Sequence, residues 1–129
     1  MSTINEYYPV AGCAPLNDVD AAPYHLRWAI TDDAGQILLA DHCKMLTEIS
    51  VTLSFGYLVM RAPGMLRMDI PLDVIEDDES VVRQAHLGQQ PVRVVDEGDL
   101  AAAWVSNFLG QKSRLVKIHP DAPALRWPE

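Results

Sequence analysis

The chain has 129 residues, 49% of them hydrophobic and 22% charged, which are the proportions of an ordinary globular protein. This length predicts a single domain, residues 1–129, that buries roughly two-thirds of the surface its unfolded chain exposes. The net charge of −8 argues against binding to nucleic acid or to an anionic membrane surface, because like charges repel.

Compartment signals in the sequence favour the cytoplasm. No N-terminal stretch combines the charged, apolar and small-residue regions of a secretion signal. No apolar run approaches the roughly 20 residues that span a bilayer. The two cysteines, Cys13 and Cys43, are too few for a disulfide scaffold. We therefore expect a cytoplasmic protein that does not enter a membrane.

The first forty residues predict three strands and a hairpin. Residues 4–10 are predicted to form a strand, residues 16–22 a weaker one, and residues 27–31 a third. Two aspartates, an alanine and a glycine at 32–35 have the composition of a turn. Residues 36–40 are then predicted to return alongside the third strand.

The middle of the chain has the clearest alternation of apolar and polar side chains. The alternation covers residues 49–54, 58–62 and 66–70, and dipeptides that end in glycine separate these segments. The pattern predicts a meander of short antiparallel strands with one apolar face. Residues 71–80 follow, and we interpret the four carboxylates at 76–79 as a solvated loop rather than as a site for a basic partner.

The last third of the chain predicts two strands on either side of a helix. Residues 81–87 are a candidate strand, and valines between 92 and 95 favour the next one. Asp99 is expected to cap a helix at about 100–109, where eight of ten side chains are apolar. Gly110 can end that helix, and residues 115–118 supply the final strand.

The fold class that follows is mainly β, an antiparallel β-barrel of short strands with one late α-helix at about 100–109. A helix that is apolar on nearly every side is expected to pack closely on a sheet, where it closes or flanks the barrel. Trp104 and Phe108 lie four residues apart, so we expect them to form its buried face.

Few side chains are arranged for catalysis. Among the four histidines, His42 beside Cys43 comes nearest to a metal pair, but neighbours on a strand point to opposite faces. The chain has neither a nucleophile elbow nor a phosphate-binding glycine loop. No cation adjoins Cys13 to lower its pKa, which favours a small buried thiol. The sequence predicts no catalytic residue and no metal site, and it favours a protein that is not an enzyme.

Motifs at both ends of the chain resemble one known family. Near the start, Tyr8-Pro9-Val10 is followed by Cys13, and residues 95–99 read Val-Asp-Glu-Gly-Asp. Ala-Ala-Trp, Phe-Leu-Gly and Arg-Leu-Val then follow in order. In this arrangement the chain resembles the N-terminal β-barrel domain of the MOSC proteins, named for the molybdenum-cofactor sulfurase C-terminal region. The mitochondrial amidoxime-reducing component and its bacterial relatives belong to that family.

The resemblance also exposes departures from the family pattern. The family's Tyr-Pro-Val-Lys-Ser-Cys has lysine and serine where this chain has Ala11 and Gly12. Its Gly-Asp-Arg before a tryptophan is either deleted here, or Leu26 stands at the basic position. Its later Thr-Gln-Arg is replaced by residues 40–42, Ala-Asp-His, so that Arg27 is the basic residue left near these motifs.

These departures concern the molybdenum cofactor, which the resemblance implies for the family. In cofactor-carrying members, basic residues of this half help to hold the anionic pterin phosphate. An alanine supplies neither charge nor donor for such a phosphate. The family's molybdenum-bound cysteine belongs to a later catalytic portion of longer members, so Cys13 does not inherit that role. We expect the chain by itself to hold no cofactor.

Two functions remain open from the sequence. In the first, the chain is a stand-alone, non-catalytic binding or accessory module for an unknown protein partner or small ligand. In the second, it is one part of a molybdenum-cofactor-dependent oxidoreductase that acts on N-hydroxylated substrates together with a separate catalytic chain. The lost basic residues favour the first. A third reading, a barrel that binds an unrelated ligand in its own cavity, also stays open.

A possible ligand or partner surface comes from Tyr8, Arg27 and Trp28, which lie in motifs that line the cofactor side in relatives. Aromatic rings and an arginine stacked on them are enriched at recognition sites. The alternative places Trp28 in the core, Tyr8 in the interior and Arg27 in solvent. Alternation along a strand puts Arg27 and Trp28 on opposite faces, which favours that alternative.

Overall fold

Seven strands, one α-helix and two 3₁₀ helices make up the described part of the computed structural model, which covers residues 6–41, 43–72, 82–119 and 125–127. The strands are β1 (Trp28–Asp32), β2 (Ser50–Ser54), β3 (Tyr57–Arg61), β4 (Met68–Pro71), β5 (Val82–Leu87), β6 (Gln90–Asp96) and β7 (Ser113–Ile118). Helix α1 is Asp99–Leu109, and the 3₁₀ helices are Val19–Tyr24 and Lys44–Glu48. The predicted fold class, mainly β with one late helix, is confirmed.

Four strands form the wall of a barrel in the order β1, β7, β6, β5, each antiparallel to its neighbour. The backbone after β1 closes this wall. The Leu38 amide donates to the Ile30 carbonyl at 2.7 Å, and the Ile37 amide donates to the His86 carbonyl at 2.8 Å. The predicted return at 36–40 therefore exists, but it joins β1 to β5 instead of forming a regular hairpin strand.

Separate apolar clusters lie on the two faces of the barrel wall. The barrel interior consists of aliphatic side chains from every wall strand: Ala11, Ala29, Ile37, Ala85, Leu87, Val92, Val94, Val116 and Ile118. On the outside, Trp28, Ile30 and Leu115 join a larger cluster, called here the outer core, with the second sheet and α1. Alternation along β1 and β7 divides their side chains between the two clusters.

The second sheet is the predicted meander, in the order β2, β3, β4, and it lies against the outer core rather than in the barrel wall. Helix α1 packs into the same core and so flanks the barrel. Trp104 is 8% exposed, its indole N–H donates to the Leu66 carbonyl at 2.6 Å, and its ring centroid lies 6.4 Å from that of Phe108. Trp104 is buried as predicted, whereas Phe108 is only partly buried and packs against the outer core.

Two predicted strands near the start are not regular strands. The strand predicted at 16–22 is wrong, because the chain there turns into the 3₁₀ helix Val19–Tyr24. An Asp18 carboxylate oxygen accepts the Asp20 amide at 2.9 Å and caps that turn, a local bond that competes with strand pairing. Of the strand predicted at 4–10, residues 6–10 make only isolated bridges, and residues 4–5 lie outside the described ranges.

The start of α1 also differs from the prediction. Gly98 occupies the cap position with φ 104°, and Asp99 is the first helical residue, so the prediction of Asp99 as the cap is wrong. The Asp99 carboxylate instead accepts a hydrogen bond from Arg114 at 2.8 Å, because β7 brings that guanidinium alongside. Gly110 ends the helix at φ 72°, as predicted.

Some sequence predictions concern residues that the structure leaves undescribed. His42 and most of the acidic loop, including residues 76–79, lie outside the described ranges. In the part that is described, no helix is both long and apolar enough to cross a membrane.

Candidate functional site

The barrel is closed at one end and open at the other. Leu26, Leu39, Leu125 and Trp127 pack against the barrel interior at the closed end. The open end holds a cavity of about 440 Å³, called here the barrel mouth, which lies within the usual size range of ligand pockets. Its lining comes from β1 and its turn, β5, β6, α1 and β7: Thr31, Asp32, Asp33, Ala34, Gly35, Arg83, Gln84, Ala85, Val94, Asp96, Asp99, Arg114 and Val116.

Charged side chains surround an apolar floor at the mouth. Ala85, Val94 and Val116 are buried members of the barrel interior and form that floor. Around it lie the carboxylates of four aspartates and the guanidinium groups of two arginines. The lining therefore carries an excess of two negative charges, which makes the mouth attractive to a cation.

Arg114 organises the carboxylates on one wall of the mouth. Its Nε lies 2.5 Å from Asp96 Oδ2, and its Nη2 lies 2.8 Å from Asp99 Oδ1. These hydrogen bonds, first to Asp96 and then to Asp99, raise the pKa of Arg114, so the guanidinium stays charged. The Asp96 carboxylate also accepts the Gly98 amide at 2.8 Å, which fixes the start of α1. These hydrogen bonds connect Asp96, Asp99, Arg114 and the start of α1 into one wall.

The turn after β1 forms the opposite wall. One carboxylate oxygen of Asp32 accepts the amides of Ala34 and Gln36, both at 2.9 Å, and holds the turn in shape. Gly35 adopts φ 83°, and a side chain there would lie 3.4 Å from the Gln84 carbonyl. Asp33 projects from the same turn with its side chain 71% exposed, 3.5 Å from Lys112.

The lining of the mouth is made of carboxylates, guanidinium groups, one amide, one hydroxyl and small apolar side chains. None of its thirteen lining residues is a histidine, cysteine, serine or lysine. Among the described residues, no three histidine, cysteine, aspartate or glutamate side chains are grouped so that they could hold a metal ion. What this arrangement can do is bind a group of complementary charge.

Tyr8, Arg27 and Trp28 lie at the closed end of the barrel. The Tyr8 carbonyl accepts the Leu26 amide at 2.8 Å, which places Tyr8 beside the segment that carries Arg27. The Arg27 Nη2 donates to the Ile118 carbonyl at 3.0 Å. Trp28 is 0% exposed and belongs to the outer core. A shared surface of Tyr8 and Arg27 stays a prediction, while the Trp28 ring lies inside the protein.

Trp28 has structural partners that account for its position. Its indole N–H donates to the Glu97 carboxylate at 2.6 Å, and Lys117 Nζ lies 5.2 Å from the ring centroid. Lys117 Nζ also donates to the Leu72 carbonyl at 2.8 Å, so this buried lysine has both an acceptor and an aromatic face. These contacts join the barrel wall to the second sheet.

Cys13 is a buried thiol, as the sequence indicates. It is 2% exposed and belongs to the outer core. Burial raises the pKa of the Cys13 thiol, with a smaller contribution from Cys43, so the reactive thiolate is disfavoured at neutral pH.

We therefore expect Cys13 to resist alkylation. With iodoacetamide at pH 8, its labelling rate should be on the order of 100-fold lower in the folded protein than in the urea-unfolded chain. Peptide mass spectrometry measures both rates, with half-buried Cys43 as the internal reference. Equal rates for Cys13 in the two states would contradict its burial.

Similarity to known proteins extends over almost the whole chain. The family model of the MOSC N-terminal beta barrel domain matches residues 6–112. The chain belongs to this family. Its similarity to the solution structure of a Bordetella bronchiseptica protein is also extensive: the two are 55% identical, with a TM-score of 0.84, over 99% of this chain and 98% of that one.

Longer members of the MOSC family are more distant relatives. The chain is 26% identical to mitochondrial amidoxime reducing component 2 of Bos taurus, over 96% of this chain and 40% of that protein. It is 27% identical to molybdenum cofactor sulfurase of Danio rerio, over 88% of this chain and 15% of that protein. The MOSC N-terminal chain therefore spans less than half the length of these curated relatives.

The residues present do not fit the phosphate of a molybdenum cofactor at the positions where the family pattern has its polar pair. Ala11 is 1% exposed and faces the barrel interior. Gly12 adopts φ 83°, and a Cβ there would lie 2.8 Å from Leu46 Cδ1. Leu26 packs against the barrel interior with φ 56°. Apolar packing fills these positions, and their side chains offer a phosphate no donor.

The mouth residues were missed by the sequence reasoning, although a signal for them exists. Asp32 and Asp96 end strands β1 and β6, whereas Arg83 and Arg114 stand near the starts of β5 and β7. In an antiparallel barrel, the end of one strand lies beside the start of the next. Charges at alternating strand ends therefore meet at one end of the barrel.

Proposed function

We propose that this MOSC N-terminal domain is a non-catalytic binding module that holds a positively charged group in the barrel mouth. The observation that carries the proposal is the mouth itself, a cavity of about 440 Å³ with an apolar floor and an excess of carboxylates. Such a lining attracts a cation by charge and holds its aliphatic part by apolar contact. The group belongs to a small ligand or to an arginine or lysine side chain of a partner protein.

The exposure of the carboxylates supports this assignment. The side chains of Asp33 and Asp99 are 71% and 98% exposed at the rim, where an entering cation meets them first. The Asp96 side chain is 7% exposed and is held by Arg114. Asp33 is paired with Lys112 and Asp99 with Arg114, but these exposed pairs are weak enough to exchange partners with an entering cation, while the inner carboxylate maintains the shape of the wall.

The alternative function, part of a molybdenum-dependent oxidoreductase with a separate catalytic chain, has less support. It rests on relatives that are longer than this chain. It would need polar side chains near Ala11, Gly12 and Leu26, where apolar packing occupies the space. A cytoplasmic location is part of our proposal, and the two free cysteines are consistent with it.

Titration of the ¹⁵N-labelled protein with agmatine tests the proposal. Agmatine presents a guanidinium on an aliphatic stem, and a capped Gly-Arg-Gly peptide presents the same group as a partner protein would. We expect saturable amide shifts at Ala34, Gly35 and Ala85. The peptide in which citrulline replaces arginine should produce none, because citrulline is neutral. Tighter binding of agmatine would favour a small-molecule ligand, and tighter binding of the Gly-Arg-Gly peptide would favour a partner protein.

Variants of the rim separate specific binding from general attraction. The double variant Asp33→Asn and Asp99→Asn should weaken binding about fivefold, as expected for two exposed ion pairs. The control Glu48→Gln removes an exposed carboxylate outside the mouth and should leave the affinity unchanged. Equal losses in the two proteins, or shifts that cluster away from the mouth, would refute the proposal.

A further inference from the structure

The turn between β2 and β3 presents an unusual phenylalanine. Phe55 is 99% exposed and has a positive φ of 50°. Gly56 follows with φ 83°, and Ser54 pairs with Tyr57 across the turn. Two central residues with positive φ are the pattern of a type I′ hairpin turn, which asparagine followed by glycine satisfies best.

Neither burial nor backbone preference explains a phenylalanine at this position. A bulky side chain with positive φ is a conformational outlier, and a ring that is 99% exposed contributes almost nothing to the core. Strained and exposed residues of this kind are concentrated at functional sites. The fold would accommodate an asparagine at Phe55 more easily, so an explanation outside the fold is needed.

A groove lies beside this turn. It has a volume of about 460 Å³ and is called here the tip groove. Leu72 is 6% exposed and its amide donates to the Gly56 carbonyl at 3.0 Å, which fixes the turn to the body of the protein. Val19, 72% exposed, stands in the same lining as Phe55. The complete lining is Asp18, Val19, Asp20, Pro23, Tyr24, Leu53, Ser54, Phe55, Gly56 and Leu72.

The charge of the tip groove has one sign. Its two acidic residues are Asp18 and Asp20, and none of its ten lining residues is basic. In the sequence that continues from Leu72, the next basic residue is Arg83, and the whole chain carries a net charge of −8. The potential in the groove is therefore negative, and it favours a positively charged occupant.

We propose that the tip groove docks a positively charged segment of a partner protein, whose apolar side chains enter between Val19 and Phe55. Exposed aromatic and aliphatic side chains beside a charged rim are the anatomy of a protein–protein contact. A second copy of this chain would bring its own negative charge to the groove. An anionic membrane is repelled for the same reason.

The tip groove is independent of the barrel mouth. The two sets of lining residues have no member in common. The docking inference therefore goes beyond the proposed function, and either can fail without the other. Variants of the mouth, Asp33→Asn with Asp99→Asn, serve as a control here, because they should leave docking at the tip groove unchanged.

The probe is an eight-residue peptide that alternates leucine with lysine, titrated into ¹⁵N-labelled protein in 0.1 M salt. We expect saturable shifts at residues 18–20 and 53–56. One matched peptide has glutamate in place of each lysine, and another has serine in place of each leucine. Both should lose binding, because the first reverses the charge and the second removes the apolar contact.

The deciding variant is Phe55→Asn, because it removes the ring and installs the residue that the turn prefers. It should fold at least as well as the native chain and weaken peptide binding at least about tenfold. Leu66→Asn removes a comparable side chain, 87% exposed, at a place outside the groove, and should leave binding within about twofold.

Several results would overturn the inference. Binding that survives Phe55→Asn, or that Leu66→Asn weakens equally, would show that the peptide does not use the groove. Equal affinity for the glutamate peptide would refute the role of charge. Concentration-dependent dimerisation in sedimentation, abolished by Phe55→Asn, would assign the groove to a second copy and would also overturn the proposal.

Discussion

Replacement of Trp104 with alanine is expected to lower the free energy of unfolding by about 3–5 kcal/mol. The indole is 8% exposed within the outer core, where it packs with Phe108 and with the second sheet. Truncation leaves a cavity there, and it also removes the donor that pairs with the Leu66 carbonyl at 2.6 Å. Urea unfolding followed by far-UV circular dichroism measures the change.

Leu100→Ala is the matched control for this experiment. Leu100 lies one helical turn before Trp104 on α1, but its side chain is 89% exposed. Its truncation should change the free energy of unfolding by less than about 0.5 kcal/mol. A loss below about 1 kcal/mol for Trp104→Ala would show that the helix is peripheral to the outer core and would contradict its central place in the fold.

The parts of the fold that the sequence predicted are those with a strong periodic pattern. The meander at 49–70 alternates apolar and polar side chains, and the structure has β2, β3 and β4 there. The late helix is apolar at most positions and ends at a glycine, and both features were readable directly. In these segments local preference and burial agree, so the local sequence is sufficient.

The parts of the fold that were not predicted depend either on local side-chain hydrogen bonds that compete with strand pairing, or on contacts between residues far apart in sequence. The 3₁₀ helix at Val19–Tyr24 replaced a predicted strand because the Asp18 side chain satisfies a nearby amide. Helix α1 begins one residue earlier than predicted, so that Asp99 is its first residue and its carboxylate pairs with Arg114, fifteen residues later. The local sequence around Asp99 does not predict that Arg114 lies beside it, because the position of Arg114 depends on how β7 pairs with β6.

The barrel mouth shows the same limit at the level of a site. Its two walls come from the turn at 32–35 and from the pair of Asp96 with Arg114, which are more than sixty residues apart in sequence. Closure of the barrel by residues 36–38 brings them together. Each charge alone is typical of a solvated strand end, and only the register of the strands makes them a single lining.

Replacement of Ala11 with lysine, the residue that the family pattern has there, is expected to lower the free energy of unfolding by about 3–5 kcal/mol. Ala11 is 1% exposed in an interior cluster of aliphatic side chains. The fold's own buried lysine, Lys117, has a carbonyl acceptor and an aromatic face. A lysine that enters the barrel interior gains neither, and its ammonium is desolvated without a counter-charge.

The pH dependence of that loss identifies its cause. Desolvation lowers the folded-state pKa of the new lysine below its unfolded value of about 10.4. The destabilisation is then full below the folded pKa and shrinks as pH rises towards the unfolded one, so unfolding at pH 7 and pH 10 should give different losses. Overpacking alone would give equal losses at the two pH values.

Ala103→Lys, at an exposed position of α1, is the control and should lower the free energy of unfolding by less than about 0.5 kcal/mol. A small loss at position 11 would mean that the barrel end can open to admit a cation, and would remove the main objection to a cofactor phosphate there.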